Sequence, residues 1–150
     1  MHIGFYIETN GGTPQNTEIY NALNEAVENE EVDDASVFYN NIDFNPVTSK
    51  FGMFNSADMW SFKGLLIATS TGNVIRASKI VNNFKLAYLY DPFEKEDATL
   101  FSLMGISKIV PIITKTKEDS DEVFRLTGKE SFLLDNFSIK DIIEVLYERV

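Results

Sequence analysis

The chain has 150 residues, 44% of them apolar, which suits one ordinary domain with a core on both sides of a sheet. Its 13 basic against 23 acidic side chains give a formal net charge of -10, so its surface repels phosphate backbones and anionic lipid headgroups. Nucleic acid is therefore excluded as an expected partner. With no cysteine, the sequence also excludes disulfides, thiolate zinc sites and cysteine nucleophiles.

The lone histidine, His2, has no second ligand type beside it and reads as a terminal surface residue. No basic leader precedes the first apolar run, and no apolar run approaches the roughly 20 residues that cross a bilayer. A cytoplasmic protein without a membrane partner is the expectation.

In chain order, HIGFYI predicts a first strand over residues 3–7, and ETNGGTPQNTEIY then forms a polar, glycine-bearing turn into a helix. Thr13 before Pro14 is an N-cap followed by proline at the first helical position. Ile19, Ala22, Leu23, Ala26 and Val27 form one apolar stripe, so the helix is expected over residues 14–28. The acidic run NEAVENEEVDD reads as its solvated end.

A second strand is expected over residues 35–39. Residues 40–63, NNIDFNPVTSKFGMFNSADMWSFK, then carry Phe44, Phe51, Phe54, Trp60 and Phe62 where a compact crossover helix would stand. These aromatics are expected to wrap the sheet edge as core. The alternative is an exposed association patch, with Phe44, Phe51, Met53, Phe54 and Trp60 as its interface residues.

GLLIAT predicts a both-faces-buried strand over residues 64–69, followed by a helix over 73–82 that buries Val74, Ile75, Ala77, Ser78 and Val81. Next come a strand over 85–90, a helix over 96–104 stopping at Gly105, and a strand over 109–113 whose Pro111 places it toward an edge. Thr116 with Asp119 and Ser138 with Asp141 fit capping boxes. They open helices carrying Val123, Phe124 and Leu126, then Ile142, Ile143, Val145 and Leu146, with Gly128 ending the first and a short strand over 131–134 between them.

This alternation predicts an α/β fold, a three-layer sandwich around a mostly parallel sheet of five or six strands, Rossmann-like, in a single domain. Ligands in such sheets bind beyond the carboxyl ends of the strands. The candidate ligand-binding residues there are Glu8, Gly11, Gly12, Thr13 and Asn16 in the first loop. Thr69, Ser70, Thr71, Gly72 and Asn73 form the second, with Asp91 at the head of a third, residues 91–94.

Turn geometry and helix capping account for the same residue types. Neither loop carries the P-loop lysine or the G-x-G-x-x-G pattern, so no cofactor is expected, and no catalytic residue or metal site is assigned. Glu8 repels phosphate and tilts the first loop toward neutral hydroxyls.

TSTGN resembles the phosphate-binding loop of flavodoxins, which carry it after the first strand rather than the third. A receiver-type signalling domain would share the fold and Lys115, yet Ser70 stands where its phosphorylated Asp is needed. More broadly, IGFYIETNGGTPQNTEIYNAL, SADMWSFKGLLIATS and FKLAYLYDPFE resemble the N-terminal half of GT-B glycosyltransferases. In style the chain is similar to small glycosyltransferase-like proteins of cyanobacterial tailed phages.

That resemblance implies that Gly11, Gly12, Thr13 and Asn16 face an acceptor and that Asp91 is a post-strand acid. It supplies no base and no donor-binding second domain. The expectation is a non-catalytic, glycosyltransferase-like domain of phage origin acting by association with itself or with a host or phage protein. The alternative is a glycosyltransferase component or a binder of a sugar or nucleotide sugar at the strand ends.

Overall fold

The computed structural model describes all residues except Pro46, 81–83, 93–96 and 148–150, and the side chains of residues 97–101. Among the described residues, seven strands alternate with helices except between β2 and β3: β1 (His2–Thr9), α1 (Pro14–Glu28), β2 (Asp34–Asn41), β3 (Gly52–Asn55), a 3-10 helix (Ser56–Ser61), β4 (Gly64–Ala68) and α2 (Thr71–Ser78). They continue with β5 (Phe84–Leu89), α3 (Asp97–Ile106), β6 (Ile112–Thr114), α4 (Lys117–Thr127), β7 (Phe132–Leu133) and α5 (Ile139–Tyr147). Every neighbouring pair of strands is parallel, in the order β3-β2-β1-β4-β5-β6-β7. The α/β, Rossmann-like expectation holds, with seven strands in place of five or six.

A parallel sheet has to be covered on both faces. Alternate residues of β1 serve the two sides: Ile3, Phe5 and Ile7 pack with α1 and α5, whereas Tyr6 packs with the face held by α2, α3 and α4. Both layers are therefore fixed by the period-2 geometry of one central strand. The stripe expected on α1 is its buried face, with Ile19, Ala22, Leu23 and Ala26 inside and Val27 half-buried. Thr13 Oγ accepts from the Asn16 amide at 3.1 Å, as an N-cap hydroxyl should.

Five expectations need correcting. α2 begins at Thr71 because Ser70, not a later residue, is the cap: its Oγ accepts from Asn73 N at 3.1 Å. Ile75 and Ser78 face solvent, while Val81 and Asn82 lie outside the described residues. α3 runs through Gly105 to Ile106, because that glycine needs no left-handed backbone and its surroundings are open.

Pro111 precedes β6 rather than interrupting it, and its carbonyl accepts from Tyr88 N at 3.0 Å; the strand lies toward an edge as expected, with β7 alone outside it. Residues 40–63 contain β3 and a 3-10 helix in place of an unstructured crossover. The caps at Thr116 and Ser138 form as expected, and Gly128 ends α4 in the left-handed conformation at φ 75°.

The aromatic segment divides between two environments. Phe51 is buried and stacks on Tyr20 with ring centroids 5.7 Å apart, and Met53 packs against the same core. Phe62 is buried on the other face against Phe38, edge to face at 5.4 Å. Phe44, Phe54 and Trp60 are exposed.

Gly64 opens β4 at φ 136°, and a Cβ there would be driven into the His2 carbonyl. Gly64→Ala is expected to cost about 2–4 kcal/mol in urea unfolding, because both the dihedral and the backbone contact forbid a side chain. A loss below about 0.5 kcal/mol, the size of an ordinary surface change, would contradict this placement of β1 against β4.

Candidate functional site

The sheet order reverses at β1: the chain goes from β1 outward to β2 and β3, then returns to β4 on the other side. The loops leaving β1 and β4 therefore diverge, and a crevice opens between their carboxyl ends. A cavity of about 390 Å³ occupies that place, lined by Glu8, Thr9, Thr13, Pro14, Gln15, Asn16, Thr69, Ser70 and Asp91. Six of these residues stand at the first turn of α1 or directly before α1 and α2, and both helix dipoles present their positive ends here.

Of the residues singled out from sequence, Glu8, Thr13, Asn16, Thr69, Ser70 and Asp91 line this cavity together. Gly11, Gly12, Thr71, Gly72 and Asn73 do not. The Gly11 carbonyl accepts from Asn16 Nδ2 at 3.1 Å and from Tyr20 Oη at 3.2 Å, which ties the first loop to α1. Gly12 N donates to Phe44 O at 3.1 Å, and Thr71 and Asn73 are on the buried face of α2. Glu94 lies outside the described residues.

Glu8 is a positioning acid. Its Oε2 accepts from Asn40 Nδ2 at 2.8 Å and lies 3.6 Å from the Arg76 guanidinium, and its Oε1 accepts from Asn41 Nδ2 at 3.0 Å. Asn40 is bonded in turn by Tyr6 Oη at 2.8 Å and donates to Asn73 Oδ1 at 3.2 Å, and Arg76 donates to that same oxygen at 3.0 Å. This chain of bonds ties the end of β1 to the end of β2 and to α2. Tyr6, Asn40, Asn41 and Arg76 went unread in sequence, because each is an ordinary residue until the fold brings it to Glu8.

The hydroxyls of Thr9, Thr13 and Ser70 each accept a backbone N–H, from Gly11, Asn16 and Asn73 respectively. An accepting hydroxyl keeps its own proton to donate. Beside these three hydroxyl donors the described lining holds the Gln15 amide and the Glu8 and Asp91 carboxylates, with no cation among them. Among the described residues, no three metal-ligating side chains come together.

The β2 side of the crevice is closed by the chain itself. Asn10 N donates to Asn41 O at 3.1 Å, Asp43 N donates to Asn10 Oδ1 at 2.6 Å, and Gly12 N reaches Phe44 O. Residues 41–44 are therefore fastened to the loop that leaves β1.

No family model matches the chain, and no curated protein or solved structure is significantly similar to it. No helix among the described residues is long and apolar enough to cross a membrane.

Burial pushes the Tyr20 phenol up to about 12. Burial, and then the Glu122 charge, do the same for Tyr90, also to about 12. Both stay protonated in the folded chain where unfolded tyrosine, at about 10, has ionised. Their contribution to stability is complete below pH 10 and disappears as pH rises through about 12. Unfolding free energies measured across that interval should fall, and Tyr20→Phe should flatten the slope; a slope unchanged by the substitution would contradict the assignment.

Proposed function

We propose that the chain is a binding domain for a small, neutral, hydroxyl-rich ligand of about one sugar ring, held in the crevice between β1 and β4. The observation that carries this reading is the cavity's lining: hydroxyl donors, an amide and two carboxylates, without a cation, at the point where the sheet order reverses. Sugar hydroxyls can donate to Asp91, and sugar oxygens can accept from Thr9, Thr13 and Ser70.

A diphosphate placed there would meet two carboxylates and rely on helix ends alone, so a free sugar or glycoside fits better than a nucleotide sugar. The resemblance of residues 3–23 to the acceptor-facing half of GT-B glycosyltransferases supports the same ligand class. Kinship with phage-encoded glycosyltransferase-like proteins rests on the sequence style alone. Binding without chemistry is the reading we adopt, since both oxygens of Glu8 hold neighbouring side chains and no nucleophile-base pair is formed among the described lining residues.

Thermal unfolding against monosaccharides, methyl glycosides, uridine and NAD tests this. A bound ligand at ten times its Kd adds about 1.4 kcal/mol. That corresponds to a rise of about 3–6 °C for a chain of this size. The expected result is a rise with one or more sugars, none with NAD, and loss of the rise in Gln15→Phe, which fills the cavity from a half-buried helix position. No rise with any hydroxylated ligand, or an equal rise with NAD, would overturn the reading.

A further inference from the structure

The edge of the sheet at β3 is poor in charge. Residues 51–62, FGMFNSADMWSF, carry one charged side chain, Asp58, in a chain that is 24% charged with a net -10. Phe54 is 43% and Trp60 63% exposed within that stretch. β3 itself has neither a charge nor a proline, the usual devices that keep an edge strand from pairing.

Gly52 also leaves room for the Phe54 ring to lie back along the strand, since a Cβ there would come within 2.5 Å of it. Beside the ring is a groove of about 510 Å³, lined by Phe38, Phe54 and Phe62 and bordered by Asp34, Asp58 and Lys63.

We propose that this edge joins two copies of the chain, β3 pairing antiparallel with β3 of a second copy across a two-fold axis. Three features select a second copy as the occupant. Two molecules of net charge -10 repel over most of their surfaces and can approach closely where charge is sparse, as it is along this edge. Identical strands related by a two-fold axis run antiparallel, so the unpaired N–H and C=O groups of one β3 meet those of the other. The groove border carries both signs, so a rotated copy can set Lys63 toward Asp58.

The pairing would make one continuous sheet of fourteen strands, twice the seven of each copy. β1 and β4, which flank the ligand crevice, lie two and three strands in from this edge, so the proposal stands apart from the ligand reading.

Analytical ultracentrifugation over a range of protein and salt concentrations tests it. The expected result is a monomer-dimer equilibrium that tightens as salt rises, because screening removes repulsion between like-charged copies. Phe54→Lys, which puts a charge on the edge, should weaken the dimer at least about ten-fold with unchanged circular dichroism. The chain has no cysteine, so single cysteines placed at Phe54 or Asn55 report proximity to the axis. One of them should give a disulfide-linked dimer under mild oxidation, while a control at the exposed Phe124 should not. A monomer under every condition, as expected if the edge serves a different polypeptide, would overturn the proposal. So would a dimer indifferent to Phe54→Lys, or equal crosslinking at Phe124.

Discussion

The position of β1 governs the rest of this molecule. It pairs in parallel with β2 on one side and β4 on the other, so each of its faces must be covered and each of its neighbours needs a crossover. α1 takes one face, and α2 comes to the other after β4. The two helices enter from loops that part company at the carboxyl end of β1. The crevice there follows from the winding, before any side chain is considered.

Side chains then decide what the crevice is for. Glu8 leaves the end of β1 and is held by Asn40, Asn41 and Arg76, which fixes the wall toward β2 and ties it to α2. The loop of residues 41–44 closes that wall by hydrogen bonds to Asn10 and Gly12. What stays open is the half between α1 and α2, with hydroxyls whose acceptor capacity meets the helix amides and whose protons remain to donate. The capping role of Thr13 and Ser70 is therefore compatible with the binding role proposed for them, because each uses a different part of the same hydroxyl.

Much of the fold was legible because its signals are local. Thr13-Pro14 and the apolar stripe after it give the limits of α1, and GLLIAT can only be a strand covered on both faces. β3 was hidden because four residues, GMFN, are too short to show a period, and none of them is fully buried. β6 was placed three residues early because KIVPII reads as one apolar run, although Ile109 is 75% exposed and only the run's end enters the sheet.

The candidate site was legible as two loops and an acid, since glycines, hydroxyls and Asp91 at strand ends are visible in order. The clamp on Glu8 was not, because its partners lie 32, 33 and 68 residues away in sequence. Long-range polar pairs leave no pattern in a single sequence. The central claim is that ligand enters the half-crevice between α1 and α2 and nowhere else. Amide chemical-shift mapping on isotopically labelled protein titrated with a methyl glycoside tests it most directly. The account requires perturbations at Thr9, Gly11, Gln15, Asn16, Thr69 and Ser70 with little change at Phe38, Phe54 and Phe62. Perturbations centred on the Phe54 groove, or none at saturating glycoside, would contradict it.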